Sequence, residues 1–270
     1  MGKMILTVIA LSLGSPALAA EPYVGIEAGT ASVRASDVDE TVEYSSVPAA
    51  PGDPSTVFYD DVFSARYKRA LDVGVVAGFD FGWFRIEGEL ANKRVAIDRY
   101  ANDDFAEQFL SELNSELNRP SQAPDPGAPG LPALTLADFQ PSATLNVGSA
   151  MVNALVDVKV LKGLNLYAGL GVGRSFARGF NDRDGALARQ RMAGLRYAVT
   201  DRIEIGLKYR KFESGIIKLD HDPIDFAGNP RQVIVDNTPT TQTTNAAITP
   251  DIEGEFRTKA VLLSFTYNLR

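Results

Sequence analysis

"LDVGVVAGFDFGWFRIEGEL", residues 71–90, contains the pattern on which the fold turns. Leu71, Val73, Val75, Ala77 and Phe79 form one series; Asp72, Gly74, Val76 and Gly78 form the other. After Asp80-Phe81-Gly82 the alternation resumes. Phe84, Ile86 and Leu90 share a face, and Arg85, Glu87 and Glu89 share the opposite one. Successive side chains of a β-strand point to opposite faces, so alternation over about ten residues reads as a strand, and two such runs around a short turn read as a hairpin. About ten residues is also the length a tilted strand needs to cross a hydrocarbon layer.

The same pattern recurs on either side. In "YVGIEAG" (Tyr23 to Gly29), Val24, Ile26 and Ala28 oppose Gly25, Glu27 and Gly29. Ser149 to Val158 sets Val152, Ala154 and Val156 against Asn153 and Asp157. "LNLYAGLGVG" (Leu164 to Gly173), Arg189 to Val199, "IEIGLKYR" (Ile203 to Arg210) and Lys259 to Leu269 behave alike, which makes eight strands. Their connections alternate in length. Those around Phe81, Lys162 and Asp201 are short, whereas Arg34 to Arg69, Arg94 to Thr144, Arg174 to Leu187 and Phe212 to Arg257 are long. Short turns at one end and long loops at the other are the habit of membrane barrels.

One face of every strand is aliphatic or aromatic; the other is rich in glycine and charge. Arg85, Glu87, Glu89, Arg196, Glu204, Lys208 and Arg210 share that second face. Facing water, they would describe a soluble barrel with an apolar core. Facing the lumen, they would pair with one another. Alternation is common to both arrangements; strand length, loop alternation and an export signal favour the second. Tyr23, Phe79, Trp83, Phe84, Tyr197, Tyr209, Phe265 and Tyr267 fall near strand ends, where interfacial aromatics belong.

Residues 1–20 read as a signal peptide: Lys3, an apolar stretch from Ile5 to Leu13, then Ala17-Leu18-Ala19. The barrel domain is then 21–270. The chain has 270 residues and no cysteine, so disulfide frameworks and thiolate metal sites are excluded. A net charge of −7 with no basic stripe argues against nucleic acid.

These segments, with "YAVTDRIEIGLKYRKF" and the closing "VLLSFTYNLR", resemble the OmpA-like, opacity-type outer-membrane β-barrel family. The resemblance spans nearly all of the mature chain outside the long loops. It implies an all-β, eight-stranded antiparallel up-and-down transmembrane barrel in the outer membrane of a Gram-negative bacterium. It also implies contact with outer-membrane lipids and lipopolysaccharide, and with the insertion machinery through the last strand. Family members usually end on an aromatic residue, whereas this chain ends Leu269-Arg270.

The shared charged face reads as a polar network filling the lumen, because eight strands enclose only enough room for side chains. A narrow pore is the alternative use of the same residues. An outer-membrane lipid-modifying enzyme would need a base, and the one histidine is His221, in "KLDHDPIDF", with Ser214 the nearest serine. "NDRDG" (Asn181 to Gly185) and "LDHDPID" (Leu219 to Asp225) cluster oxygen ligands without the spacing of a calcium loop. Asn102 to Asn118, with Phe105, Phe109, Leu113 and Leu117 at helical spacing and Asn102 as cap, reads as an amphipathic helix over the barrel mouth or as a docking surface. No catalytic residue, cofactor or metal is expected. The function expected is a non-enzymatic surface role in envelope integrity or surface contact, with any surface partner met at the loops.

Overall fold

The computed structural model describes residues 20–34, 36–102, 105–119, 130–140, 144–180, 182–220 and 222–269; all but the last residue of the segment expected to be a signal peptide lies outside them. In chain order the strands are β1 (Glu21–Val33), β2 (Ser36–Val47), β3 (Ser55–Tyr67), β4 (Ala70–Asp80), β5 (Phe84–Asn102), β6 (Thr144–Leu161), β7 (Leu164–Gly179), β8 (Asp182–Ala198), β9 (Ile203–Asp220), β10 (Ile224–Ala227), β11 (Arg231–Val235) and β12 (Thr238–Asn268). Between β5 and β6 lie a helix, α1 (Ala106–Glu116), and a single 3₁₀ turn (Leu136–Phe139).

All the strand pairs are antiparallel, and the sheet closes on itself. Starting at Thr258, the register runs through Phe212, Gln190, Gly171, Asn153, Glu87, Gly78 and Tyr23, and returns to β12 at Asn268. The circuit therefore comes back about ten residues further along the same strand. Over eight strand spacings, that displacement corresponds to strands tilted by ~40°.

The expected strands are all present but longer, and there are twelve rather than eight. The reason is that the long connections are largely strand. Arg34 to Arg69 was expected to be a loop; instead β1 runs on into β2 and β3 into β4, with only short breaks, so one tall hairpin occupies two positions of the ring. Higher up, β2 takes over from β1 as the partner of β12, and β3 takes over from β4 as the partner of β5. Arg174 to Leu187 is a tight hairpin between β7 and β8. Phe212 to Arg257 holds the rest of β9, the short β10 and β11, and the upper half of β12.

Which face points inward is now fixed. In the lower half, Glu27, Asp72, Arg85, Glu87, Glu89, Lys208 and Arg210 are buried, whereas Leu263 is 69% exposed, Leu170 65% and Trp83 62%. In the upper half the chemistry is reversed. Val38, Val42, Phe63, Ile97, Tyr100, Ala246, Ile248 and Ile252 are buried together as a core. β12 shows both halves at once: from Gln242 onward its even-numbered residues face inward, apolar at Ala246, Ile248 and Ile252. In its lower half the odd-numbered Val261, Leu263 and Phe265 form the apolar outer surface. A second apolar layer, including Leu145, Val147, Phe212, Phe256 and Leu262, separates the two regions inside.

Candidate functional site: a charged lumen beneath an apolar cap

Hydrogen-bonded neighbours in a closed sheet bring side chains of alternate residues to one axis, so charges far apart in sequence meet. All seven charged residues expected on the inner face are there, arranged in tiers. Nearest the short turns, Arg85 Nε lies 2.7 Å from Asp157 Oδ2. Arg196 spans three carboxylates, Asp80 at 2.8 Å and Asp157 and Glu204 at 3.0 Å each. Above them Lys208 pairs with Glu27 and lies 3.5 Å from Glu87. The top tier is Arg210, held by Glu89 and, at 2.6 Å, by Asp72.

Neutral side chains stitch the tiers together. Tyr23 donates its hydroxyl to Glu87 at 2.8 Å. Asn153 Nδ2 donates to both Glu87 and Glu89 at 3.1 Å, and Gln190 Nε2 donates to Glu89 at 3.0 Å and to Asn153 Oδ1 at 2.7 Å. Lys93 sits 4.2 Å from the centre of the Phe212 ring. Tyr23 is thus a lumen residue, not the interfacial aromatic expected from its place at a strand end. Glycines on this face make the room: a Cβ at Gly171 would fall 2.0 Å from Asn153 Oδ1, and one at Gly194 2.6 Å from the Tyr167 hydroxyl.

Sequence reasoning did not single out Tyr23, Glu27, Asp72, Asp80, Lys93, Asn153, Asp157 and Gln190 as network members. Most stood on the right parity, and that parity was the available signal. Several of their partners, such as Glu87 for Tyr23 and Glu89 for Gln190, lie on strands that are not neighbours in the sheet, and only the closed ring brings them together.

The upper compartment is roofed by α1. Phe109, Leu113 and Leu117 are buried in its core, and Phe63 meets Tyr100, Phe139 and Phe109 at ring separations of 5.9, 5.5 and 5.8 Å. The helix therefore covers the barrel mouth. It begins later than expected: Phe105, not Asn102, is its N-cap, with no side-chain cap bond, and Asn102 ends β5. Inside this compartment Glu40 is 1% exposed, and neither of its carboxylate oxygens has a hydrogen-bond partner. Burial raises its pKa well above the ordinary carboxylate range, with Asp251 and Asp39 adding to the effect.

His221 and Asn181 lie outside the described residues. Ser214 Oγ accepts the Phe256 N–H at 2.9 Å and donates to the Gly215 carbonyl at 2.7 Å, tying down the bulge where β9 meets β12. Asp184 accepts the N–H groups of Gly185 and Lys218, which hold its carboxyl below the usual range. Among the described residues no group of three metal-ligating side chains converges.

No family model matches the sequence, and no curated protein matches it. Among solved structures, outer membrane protein OprG from Pseudomonas aeruginosa overlaps 92% of this chain and 96% of its own, at 10% identity and a TM-score of 0.43. Neisserial surface protein A overlaps 85% and 94%, at 13% identity and a TM-score of 0.36. The outer membrane protease OmpT from Escherichia coli overlaps 92% and 97%, at 9% identity and a TM-score of 0.36. At such scores these overlaps place no constraint on what this chain does.

Proposed function

We propose that the chain is a transmembrane β-barrel of the opacity type, its twelve strands filling a ring of eight positions, seated in the outer membrane of a Gram-negative bacterium after removal of residues 1–20. It acts there as a non-enzymatic surface protein, contributing to envelope integrity or surface contact through its loop-side half. The observation that carries this reading is the lower half's inverted surface, with ion pairs inside and a belt of exposed Leu, Val, Ile and aromatic side chains outside. Such a belt is unfavourable in water and suits the hydrocarbon layer, where closed barrels are one of the two structures that satisfy every backbone group.

The packed lumen supports a structural role over conduction. Arg196, Lys208 and Arg210 each bridge carboxylates drawn from other strands and Arg85 pairs with Asp157, a filling of the lumen that favours a braced wall over an aqueous path. The tall upper half, capped by α1, is what remains to meet the exterior. Membrane fractionation with heat-modifiable gel mobility tests the reading. The protein should stay with membranes through a high-salt wash, need detergent for extraction, and migrate faster unheated than boiled. Release by salt alone with no mobility shift would refute it, and large, reproducible currents in planar bilayers would replace the braced lumen with a pore.

A further inference from the structure

The apolar belt ends outside at a row of cations, Lys259 on β12, Lys211 on β9 and Arg191 on β8, which the register sets side by side. Just above that row the wall stops being a closed ring. Among the described residues β9 pairs with β8 only as far as Ser214, and β5 pairs with β6 only as far as Ala96. Two slits therefore run upward from one level, on either side of the wall formed by β6, β7 and β8. Facing that wall stands one continuous sheet: residues 216–220 of β9, residues 243–255 of β12, then β2, β3 and residues 97–102 of β5.

Every chain joining this sheet to the lower barrel is irregular where it crosses. β9 and β12 slip register together, Ser214 and Gly215 standing against Phe256 alone, and Gly254 just above has φ +153°, a conformation that favours glycine. β1 parts from β2 at Arg34, β3 parts from β4 at Lys68 and Arg69, and β5 slips against β3 at Asp98. Bulges and breaks of this kind let strands bend. At consecutive positions of the ring and at one level, they make a hinge line. Above it the sheet has a core of its own: Val42, Phe63, Tyr100 and Ile248 pack with α1 and with Leu134 and Phe139. Across the slits Ile217 and Leu219 meet Leu145, Val147 and Ala177 in an apolar layer, and Lys218 N–H donates to Asp184 Oδ2 at 3.0 Å.

We propose that the sheet above the hinge line is a cap that swings as one body away from the β6–β7–β8 wall, and that Glu40 is its latch, shut while protonated and released when ionised. Glu40 stands on the inward face of β2 between Val38 and Val42, its two oxygens without hydrogen-bond partners. Tyr59 lies opposite it on β3 and Tyr100 approaches from β5. Asp39 beside it and Asp251 on β12 are acidic, and α1 brings Glu112 and Glu116 towards Tyr44 and Tyr59. None of these groups is a cation, so a charge formed here is uncompensated until water reaches it. A parted slit admits that water to the inward face of β2. Asp184, held below the usual carboxylate range by its two N–H donors, stays ionised while Glu40 titrates and keeps its tie to β9 constant.

The test uses the full chain folded in detergent micelles, with nitroxide labels on introduced cysteines, since the sequence has none of its own. Thr56→Cys on β3 with Arg183→Cys on β8 spans the mouth, whereas Thr56→Cys with Ser111→Cys on α1 lies within the cap. Pulsed electron paramagnetic resonance reads both distances from pH 4 to pH 9. Across the mouth, a longer distance should gain on the closed one by up to about tenfold per pH unit above about 4.3, levelling off once Glu40 also ionises in the closed state. The distance within the cap should stay fixed, and Glu40→Gln should hold the mouth at its acid distance throughout. A mouth distance that ignores pH, or a response that survives Glu40→Gln, would overturn the proposal. So would broadening within the cap, which means melting instead of swinging. The two distances decide the matter with Glu40 in place should Glu40→Gln not fold. Neither result bears on the transmembrane reading, which fractionation tests separately.

Discussion

Replacing Arg210 by methionine should expose how much the lumen depends on charge balance. Arg210 is 1% exposed and joins Asp72 on β4 to Glu89 on β5 from the far wall of the barrel. Its removal strands two buried carboxylates. Breaking a buried pair by deleting one partner costs about 3–5 kcal/mol. Lys93 interacts with both carboxylates and offsets part of the loss, which places the expectation near the lower end, about 3 kcal/mol. With a urea dependence of about 2 kcal/mol per molar, the unfolding midpoint should fall by about 1.5 M.

The assay is urea unfolding in phosphatidylcholine vesicles, followed through the single tryptophan, Trp83, which sits exposed on the outer surface beside the first short turn. The double variant Glu89→Gln/Arg210→Met removes one buried charge of each sign, leaves Asp72 with Lys93 as its nearby cation, and should recover most of the loss, because a buried ion pair replaced by neutral groups is often no less stable. A midpoint within about 0.3 M of wild type for Arg210→Met would refute the view that these pairs brace the wall. A double variant as unstable as the single one would show that lost packing, not stranded charge, was responsible.

The remaining predictions probe the belt, the cap and the buried acid. Leu263→Arg, in the middle of the outward belt, should destabilise the inserted barrel by about 2–4 kcal/mol in the same titration, and no change would argue that this face does not meet lipid. Phe109→Ala should loosen the roof by about 3–5 kcal/mol, read as faster amide exchange in β2, β3 and α1 while heat-modifiable mobility stays normal. Because the Glu40 pKa is raised on folding, the stability of the upper half is fully present below the unfolded value of about 4.3 and falls as pH rises through the folded one. Glu40→Gln should flatten that dependence and stabilise the upper half at neutral pH by about 1–3 kcal/mol; an unchanged pH profile of exchange protection would refute this assignment.

The lower half was legible in the sequence because its contrast is large. Leu71, Val73 and Val75 against Asp72 and Gly74, or Ile86 against Arg85 and Glu87, leave no ambiguity of period. Which face pointed inward was not legible, since a soluble and a membrane barrel share the same alternation; the β5–β6 register puts Asp157 beside Arg85, and only ring closure puts Glu27 beside Lys208. The upper strands were missed for a different reason. In "SDVDETVEYSSV" the inward series Val38, Val42, Tyr44 is interrupted by Glu40, and β12 above Glu255 is rich in threonine and carries Pro250. Such segments hold as strands because their neighbours continue to offer hydrogen bonds beyond the belt, a tertiary effect that local pattern does not record. Helix α1 was found by its spacing but misplaced at its start, because Phe105 caps it without a side-chain bond.

β12 keeps one parity inward from Gln242 to Asn268 while the chemistry of its outward parity changes at Arg257 and Lys259. In effect the strand carries a waterline. On the transmembrane reading, sinking the barrel by two residues per strand, about 5 Å, would submerge Lys211, Lys259 and Arg191 together, at up to about 2–4 kcal/mol for each cation that reached the midplane and less near the edge. Raising it by the same amount would lift the topmost row of apolar side chains into water. The draught of the molecule is therefore set steeply from both directions, and a bilayer of another thickness has to bend to meet it.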